Sequence, residues 1–485
     1  MKELIYDRHI AERFTLLAIA ASALLSFAAC KKLVAVDPPV TSITGENVYS
    51  SDATAISTLT ALYTDMSLKD NHFNNGFPMI SLYAGLSADE LTLFDLSNAT
   101  ALAYYRNALT TNPPTGVETW SSCYPYIFIC NSAIEALTKA NALTPAVTQQ
   151  LLGEARFMRA FFYFYLVNLY GDVPLPLTTD YKVNSLLPRT PASAVYAQVI
   201  SDLRSAEDLL SADYLNGSLQ KYASSEERVR PTKWAAAALL ARAYLYTGKY
   251  DSAELAATSV INNTSLFSLT TLGNVFLKNS REAIWQLQPV TSGTTNTQDA
   301  YLFILPPSGP GPVNFVYLSD TLVNSFEPGD QRKSAWVGSD TVGGNVYHYA
   351  YKYKVNASNV PQSEYLMMFR LAEQYLIRAE ARANQNNISG AQDDLNAVRA
   401  RAGLPGTAAT DKSGLLAGIL HERQVELFTE LGHRWLDLKR TGNIDAVMTI
   451  AAGKKDGSWS SDWQWYPIPL NEMLKDPNLT QNRGY

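Results

Sequence analysis

The sequence predicts a mostly α-helical fold in which packed helical hairpins are interrupted by long loops and short strands. Two observations carry this prediction. Regions of roughly 119–262 and 364–440 place apolar residues at helical spacing. The stretch between them, 263–363, is rich in Gly, Pro and Thr and holds only short alternating pieces. These features divide the chain into a leader at 1–29, an N-terminal helical region at 30–262, a loop-rich insertion at 263–363 and a C-terminal helical region at 364–485.

The leader comes first. Phe14 to Ala29 is an unbroken run of apolar and small residues, too short for an ordinary membrane span and the right length for a signal-peptide core. Ahead of it Lys2, Arg8 and Arg13 are balanced by Glu3, Asp7 and Glu12, and behind it stand Cys30, Lys31 and Lys32. Ala28 and Ala29 directly before Cys30 resemble a bacterial lipobox, although Phe27 stands where Leu is usual. The resemblance implies that Cys30 is acylated, for instance with palmitate, and becomes the first mature residue. A single acyl chain binds a membrane only marginally, at ~0.8 kcal/mol per buried methylene, so a multiply acylated cysteine is the physical way to hold the protein there.

The net charge of −6 with interspersed signs lacks the basic stripe that nucleic acid requires. Cys123 and Cys130, if on one helix, are about 10.5 Å apart along its axis. That is beyond the ~4.4–6.8 Å a disulfide bridges between α-carbons, so buried thiols are expected.

Within the first helical region, GEARFMRAFFYFYLVNLYGD (153–172) is apolar almost all round, as a helix enclosed by others must be, and Gly171 ends it. FFYFY (161–165) surrounds the helix and is therefore core. Helices at 191–210 and 231–261 follow a Pro-marked connection at 172–177. In the last segment Leu240, Ala241, Tyr244 and Ala253 fall in the small-and-large pattern of a tetratricopeptide-like helical hairpin, with Gly248 at the turn. The second region opens with a helix over YLMMFRLAEQYLIRAEARA (365–383), and a second helix follows an Asn-rich turn and stops at Gly403 and Pro405. In the insertion, EAIWQLQ (282–288), YLFIL (301–305) and NFVYL (314–318) read as short strands or extended loops.

In this order GEARFMRAFFYFYLVNLYGDVPL, KWAAAALLARAYLYTGKYDSAE, FEPGDQR, RLAEQYLIRAEARA with LNAVRARAGLP, ERQVELFTELGHRWLDLKRTG and YPIPLNEMLKDPNLTQNRGY resemble the SusD/RagB family of Bacteroidetes outer-membrane lipoproteins across nearly the whole mature chain. The resemblance implies a tetratricopeptide-like scaffold whose loops form the ligand face. It also implies a lipid-anchored, surface-facing position at the outer membrane and a SusC-like TonB-dependent transporter as partner. The cargo would be a nutrient, often a glycan and sometimes a peptide, and family members are typically not enzymes.

The residues themselves offer little to catalysis. The five histidines have no partner at i+4, no HExxH, zinc-type CxxC pair or GxSxG occurs, and nothing calls for a metal or cofactor. Glu422, Glu426 and Glu430 stand at four-residue steps; as a carboxylate set they would suit a glycosidase, but Glu430 four before Arg434 and nearby Arg423, Lys439 and Arg440 predict an ion-paired, solvated helix face. Trp459, Trp463, Trp465 and Tyr466 are expected to pack on the last helices, with Trp463 and Trp465 on one strand face.

Ligand candidates come from two low-charge aromatic stretches. Residues 283–326 carry only Asp299 and Asp320 as charges, together with Tyr301, Phe303, Phe315 and Tyr317. Aromatic faces cover the C–H face of a pyranose while amides and hydroxyls pair with its hydroxyls, which suits a neutral sugar. Phe94 and Tyr104 supply a second wall; Tyr104 and Tyr105, as neighbours on an extended segment, would point apart, and His72, Asn74 and Asn75 are candidates for the same rim. The leading expectation is a neutral-glycan-binding lipoprotein. The alternatives are a peptide-binding homologue, a helical lid of the transporter without its own ligand and, third, a glycosidase.

Overall fold

The computed structural model describes residues 48–67, 79–290, 296–357 and 359–485. Cys30 with its leader, and His72, Asn74 and Asn75, lie outside the described residues. From Tyr49 to Tyr485 the chain is one contact unit, and it is mostly helical with three two-stranded antiparallel sheets among the described residues.

Helices near in sequence pack on one another. Glu118–Lys139 lies on Pro145–Tyr170, which in turn packs on Ala192–Leu209. Lys233–Tyr246 pairs with Tyr250–Ile261, and Leu371–Asn384 with Ile388–Arg401 and Lys412–Glu426. The helix at Pro145–Tyr170 is the centre of the fold. Pro145 starts it where a missing N–H costs nothing, every residue from Phe157 to Tyr170 is buried, and Gly171 ends it with a positive φ of 75°. All five side chains of FFYFY are 0 % exposed. Cys123 and Cys130 lie on one helix, buried and free.

The hairpin pattern at 233–261 is also realised. Leu240, Ala241, Tyr244 and Ala253 are all buried, and the Tyr244 hydroxyl accepts from Arg204 Nε at 2.8 Å. Removing that ring by Tyr244→Ala should cost ~3 kcal/mol or more, and Ala241→Leu should overpack the same contact at ~1–3 kcal/mol. Denaturant titrations of both variants check this, and parental stability in both would mean that the contact does not hold the hairpin together.

Four local expectations are corrected. YLFIL does not form a strand: Gln298–Phe303 is helical, started by the Thr297 hydroxyl, which accepts from Ala300 N at 3.1 Å. Tyr104 and Tyr105 close a helix, Ala99–Tyr105, not an extended loop. Leu366–Arg370 is a strand that runs directly into the helix at Leu371. Ser461–Gln464 is a 3-10 turn, so Trp463 and Trp465 share no strand face, and of that cluster Tyr466 alone is buried.

The six strands among the described residues are β1 (Leu91–Leu93), β2 (Ala283–Leu287), β3 (Val316–Leu318), β4 (Val337–Val342), β5 (Asn345–Ala350) and β6 (Leu366–Arg370), paired β1 with β3, β2 with β6 and β4 with β5. The β2–β6 pair brings the inserted region onto the C-terminal helices, and the ions at its ends fasten it. Arg370, at the end of β6, donates through Nε to Glu430 at 2.7 Å, through Nη1 to Glu282 at 3.0 Å and to Glu426, and through Nη2 to the Glu426 carbonyl at 2.7 Å. Arg332 joins Asp330, Glu422 and Glu426 at 2.6–2.8 Å, and Lys352 reaches Glu430 and the carbonyls of Glu426 and Phe428. Glu422, Glu426 and Glu430 are thus ion-paired as expected but not solvated, at 0, 0 and 8 % exposure. Arg434 does not serve Glu430; it forms a two-pronged pair with Asp89, both contacts at 2.8 Å.

Candidate functional site

The register of β1 and β3 sets Thr92 opposite Tyr317, while Leu91 and Leu93 turn inward and are buried. With a side-chain period of two, Thr92 and Tyr317 must then stand on the outer face. Phe94 extends the ladder through its N–H to the Phe315 carbonyl at 2.7 Å. Tyr105, from the end of its helix, reaches the same place, and the Thr92 hydroxyl lies beside both phenols. Burial raises both phenol pKa values above the ordinary range.

The β4–β5 hairpin supplies the facing wall. Its two-residue turn is Gly343–Gly344, both at positive φ (59° and 84°), the geometry that matches strand twist and that side chains resist. The turn places Tyr347 edge-on to Tyr317 at 5.2 Å and to Phe94 at 5.9 Å between ring centroids. Between these walls opens a cavity of about 460 Å³, whose lining includes Tyr105, Tyr317, Tyr347, Asn345, Asp320 and Lys454. Lys454 Nζ donates to Thr321 Oγ1 at 3.2 Å across the rim, and Asp89 and Lys455 lie at the base.

Of the six aromatics the sequence singles out, Tyr317 lines this cavity and Phe94, 44 % exposed, backs Tyr347. Tyr301 is half-buried on the 298–303 helix and outside the lining. Tyr104, Phe303 and Phe315 are 1, 3 and 3 % exposed and cannot meet a ligand in this geometry. The reason is local: Tyr104 stacks on Tyr83 at 4.2 Å with its hydroxyl on Glu118, and Phe303 and Phe315 belong to the main apolar core. Tyr347, Tyr105 and Asn345 are additional lining residues. The alternating VYHYA after Gly-Gly was the available signal for Tyr347.

The carboxylates do not form an acid and base pair here. Asp299 is buried outside the lining; burial, then Glu430, pushes it up to about 8 against the pull of Lys352. Asp89 is held below the ordinary range: Arg434 and Lys455 outweigh the cost of its burial. Glu327, His421 and Glu422 bring potential ligand atoms within 4.8 Å of one another. Yet Arg399 joins Glu327 (2.6 Å) to Glu422 (3.2 Å), and Arg332 takes the other oxygen of Glu422, so guanidinium already supplies the positive charge a metal would bring.

Glu90, next to Asp89, gives a pH prediction. It is buried with Oε1 unpaired, and burial, then Asp89, pushes it from 4.5 up to about 8. The folded chain therefore keeps this proton across an interval in which the unfolded chain has lost it, so stability falls as pH rises through that interval, by up to about 1.4 kcal/mol per unit. Glu90→Gln should flatten that part of the profile, with a melting-temperature advantage that grows from about pH 5 to about pH 8; parallel profiles for variant and parent would refute it.

A helical-hairpin scaffold bearing its open aromatic cavity on inserted loops defines a tetratricopeptide-like protein with a loop-built face. Sequence comparison makes this specific. The model described as "SusD family" matches residues 326–485, and that described as "Starch-binding associating with outer membrane" matches residues 49–245. The SusD-like protein P38 of Formosa agariphila is 26 % identical over 94 % of this chain and 96 % of its own length. The starch-binding protein SusD of Bacteroides thetaiotaomicron is 33 % identical over 27 % of this chain and 23 % of its own. Among solved structures, surface glycan-binding protein A from Bacteroides uniformis superposes with a TM-score of 0.74 at 22 % identity, covering 89 % of this chain and 99 % of its own. The chain belongs to the SusD/RagB family.

Proposed function

We propose that this protein binds a neutral glycan in the cavity between Tyr105, Tyr317 and Tyr347 and hands it to a SusC-like TonB-dependent transporter, while acylated Cys30 anchors it at the outer surface of the outer membrane. The family is one of binding proteins and this member is not an enzyme. Its association with the outer membrane follows from the same family membership.

The observation that carries the reading is convergence. Aromatics from three separate segments, near 92–105, 317 and 347, meet in one concave site, whereas a transporter lid with no ligand of its own has no need to gather them. The charges favour a neutral ligand. The rim carries one carboxylate, Asp320, and one ammonium, Lys454, while Asp89 and Lys455 are engaged below, by Arg434 and by backbone carbonyls. Among the described lining residues no surplus cation is left to hold a sulfate or uronate. The volume of about 460 Å³ is in the range that holds a small ligand such as a short oligosaccharide.

Affinity electrophoresis and calorimetry against soluble starch, laminarin, alginate and a peptide mixture test this. Binding to a neutral glycan, nearly independent of salt because no ion pair is screened, is the expected result. Retention only by alginate or by peptides would overturn it. For the anchor, Cys30→Ala should move the protein from the membrane fraction to the soluble one; membrane retention of that variant would reject acylation at Cys30.

A further inference from the structure

Lys455 is 6 % exposed, yet among the described residues no salt bridge holds it. Its ammonium donates instead to the carbonyls of Leu86 at 2.6 Å, Ser87 at 3.4 Å and Ala88. These are at the C-terminal end of the Met79–Ser87 helix, where carbonyls have no partner within the helix and the helix dipole is negative. A lysine from far along the chain therefore caps that helix, with Asn107 Nδ2 sharing the Ser87 carbonyl at 3.1 Å.

The position of this cap ties it to the cavity. Lys455 lines the cavity floor, with Nζ 5.1 Å from the centre of the Tyr105 ring. The turn it holds leads within three residues into β1, which carries Thr92. The same turn receives β3: Ser319 donates through Oγ to the Asp89 carbonyl and through N–H to the Glu90 carbonyl at 2.8 Å. The turn and the Tyr105 ring meet at one ammonium, and β1 and Ser319 are joined to it through the turn.

We propose that Lys455 is a positioning residue of the ligand cavity: its protonated ammonium holds the 86–90 turn, and through it β1 and Tyr105, in the binding geometry, and loss of that proton loosens the floor and weakens binding. The effect on binding rests on the glycan reading of the cavity; the effect on the floor does not. An –NH3+ group offers three donors to three carbonyls, whereas –NH2 offers two and turns a lone pair toward the third oxygen. Burial draws the titration of Lys455 down to about 7, against the pull of Asp89. The charged groups facing it are Asp89 and Glu90 in the turn, Arg434 on Asp89, Arg106 and Asp456 beside Tyr105, and Asp320 and Lys454 at the rim. Glu90 titrates in a neighbouring range, so the test must separate the two.

Hydrogen exchange of the intact protein, corrected for intrinsic rates, at about pH 6 and about pH 8.5 does so. Amides of 88–93 and 105–107 should lose protection roughly tenfold or more in the parent, the worth of one charged hydrogen bond. Lys455→Arg should keep protection at both pH values, Lys455→Met should lack it at both, and Glu90→Gln should retain the parental drop. Affinity for soluble starch or laminarin should fall in parallel. Protection that does not change with pH in the parent, or a drop that Glu90→Gln abolishes, would overturn the role of Lys455. A pH-dependent floor in a protein that binds no glycan would instead reject the glycan reading and leave that role standing.

Discussion

Replacing Arg370 by Met is expected to be the most destabilising single change in this protein, at about 3–5 kcal/mol. Arg370 is 1 % exposed and serves three carboxylates, Glu282 from the insertion and Glu426 and Glu430 from one C-terminal segment. Removing it leaves those charges buried with their remaining partners, Arg332, Lys352 and Arg401, already engaged. The pH dependence identifies the cause. In the parent, Arg370 and Lys352 outweigh burial and hold Glu430 below its ordinary range, so its contribution is present above the unfolded carboxylate pKa and lost as pH falls through the folded one. In the variant the same carboxylate is drawn upward by burial, so stability is lost as pH rises. The gap between parent and variant should therefore widen from acid to neutral pH. Arg370→Lys keeps a charge but not the planar fork and should fall between them. Denaturant titrations at about pH 5 and about pH 7.5 would detect this, and a gap that narrows toward neutral pH would show that lost packing, not stranded charge, dominates.

The same network shows what the sequence could and could not reveal. The four-residue spacing of Glu422, Glu426 and Glu430 announces a set of ion pairs, because that spacing aligns side chains on one face. It cannot announce burial, because the cations that make burial possible, Arg332, Lys352 and Arg370, lie more than fifty residues upstream and arrive only with the tertiary fold. Local patterns fared well where the core itself dictates them: FFYFY has no polar side to expose, and Tyr244 with Ala241 is a packing unit within one hairpin. Short apolar runs fared worse. EAIWQLQ contains a strand and YLFIL a helix, and the difference is the Thr297 cap, a signal of one residue against five. The candidate cavity draws on both of the stretches that the sequence singles out, but its individual side chains were not legible there. Composition marks a segment as aromatic and uncharged, whereas which ring faces outward depends on register, which for Tyr317 is set by Thr92 more than two hundred residues away.

Tyr347→Ala should abolish glycan binding, or weaken it by roughly 100-fold (about 2.7 kcal/mol), while leaving thermal stability nearly unchanged. Tyr347 is half-buried on the hairpin and touches both Phe94 and Tyr317, so its loss removes one wall and also the edge that fixes the ring opposite. Because the hairpin is peripheral to the main core, little stability goes with it. Tyr317→Phe keeps the ring but loses the hydroxyl beside Thr92 and should weaken binding by roughly tenfold or less. Phe303→Ala and Phe315→Ala should behave in the opposite way. Both rings are core, so each variant should lose ~3–5 kcal/mol of stability, while the fraction that remains folded binds glycan with parental affinity. Calorimetry with a neutral glycan that the parent retains, combined with melting curves for all four variants, separates wall from core. Full affinity in Tyr347→Ala, or a selective loss of binding in Phe303→Ala or Phe315→Ala without loss of stability, would move the ligand away from this cavity to another face of the protein.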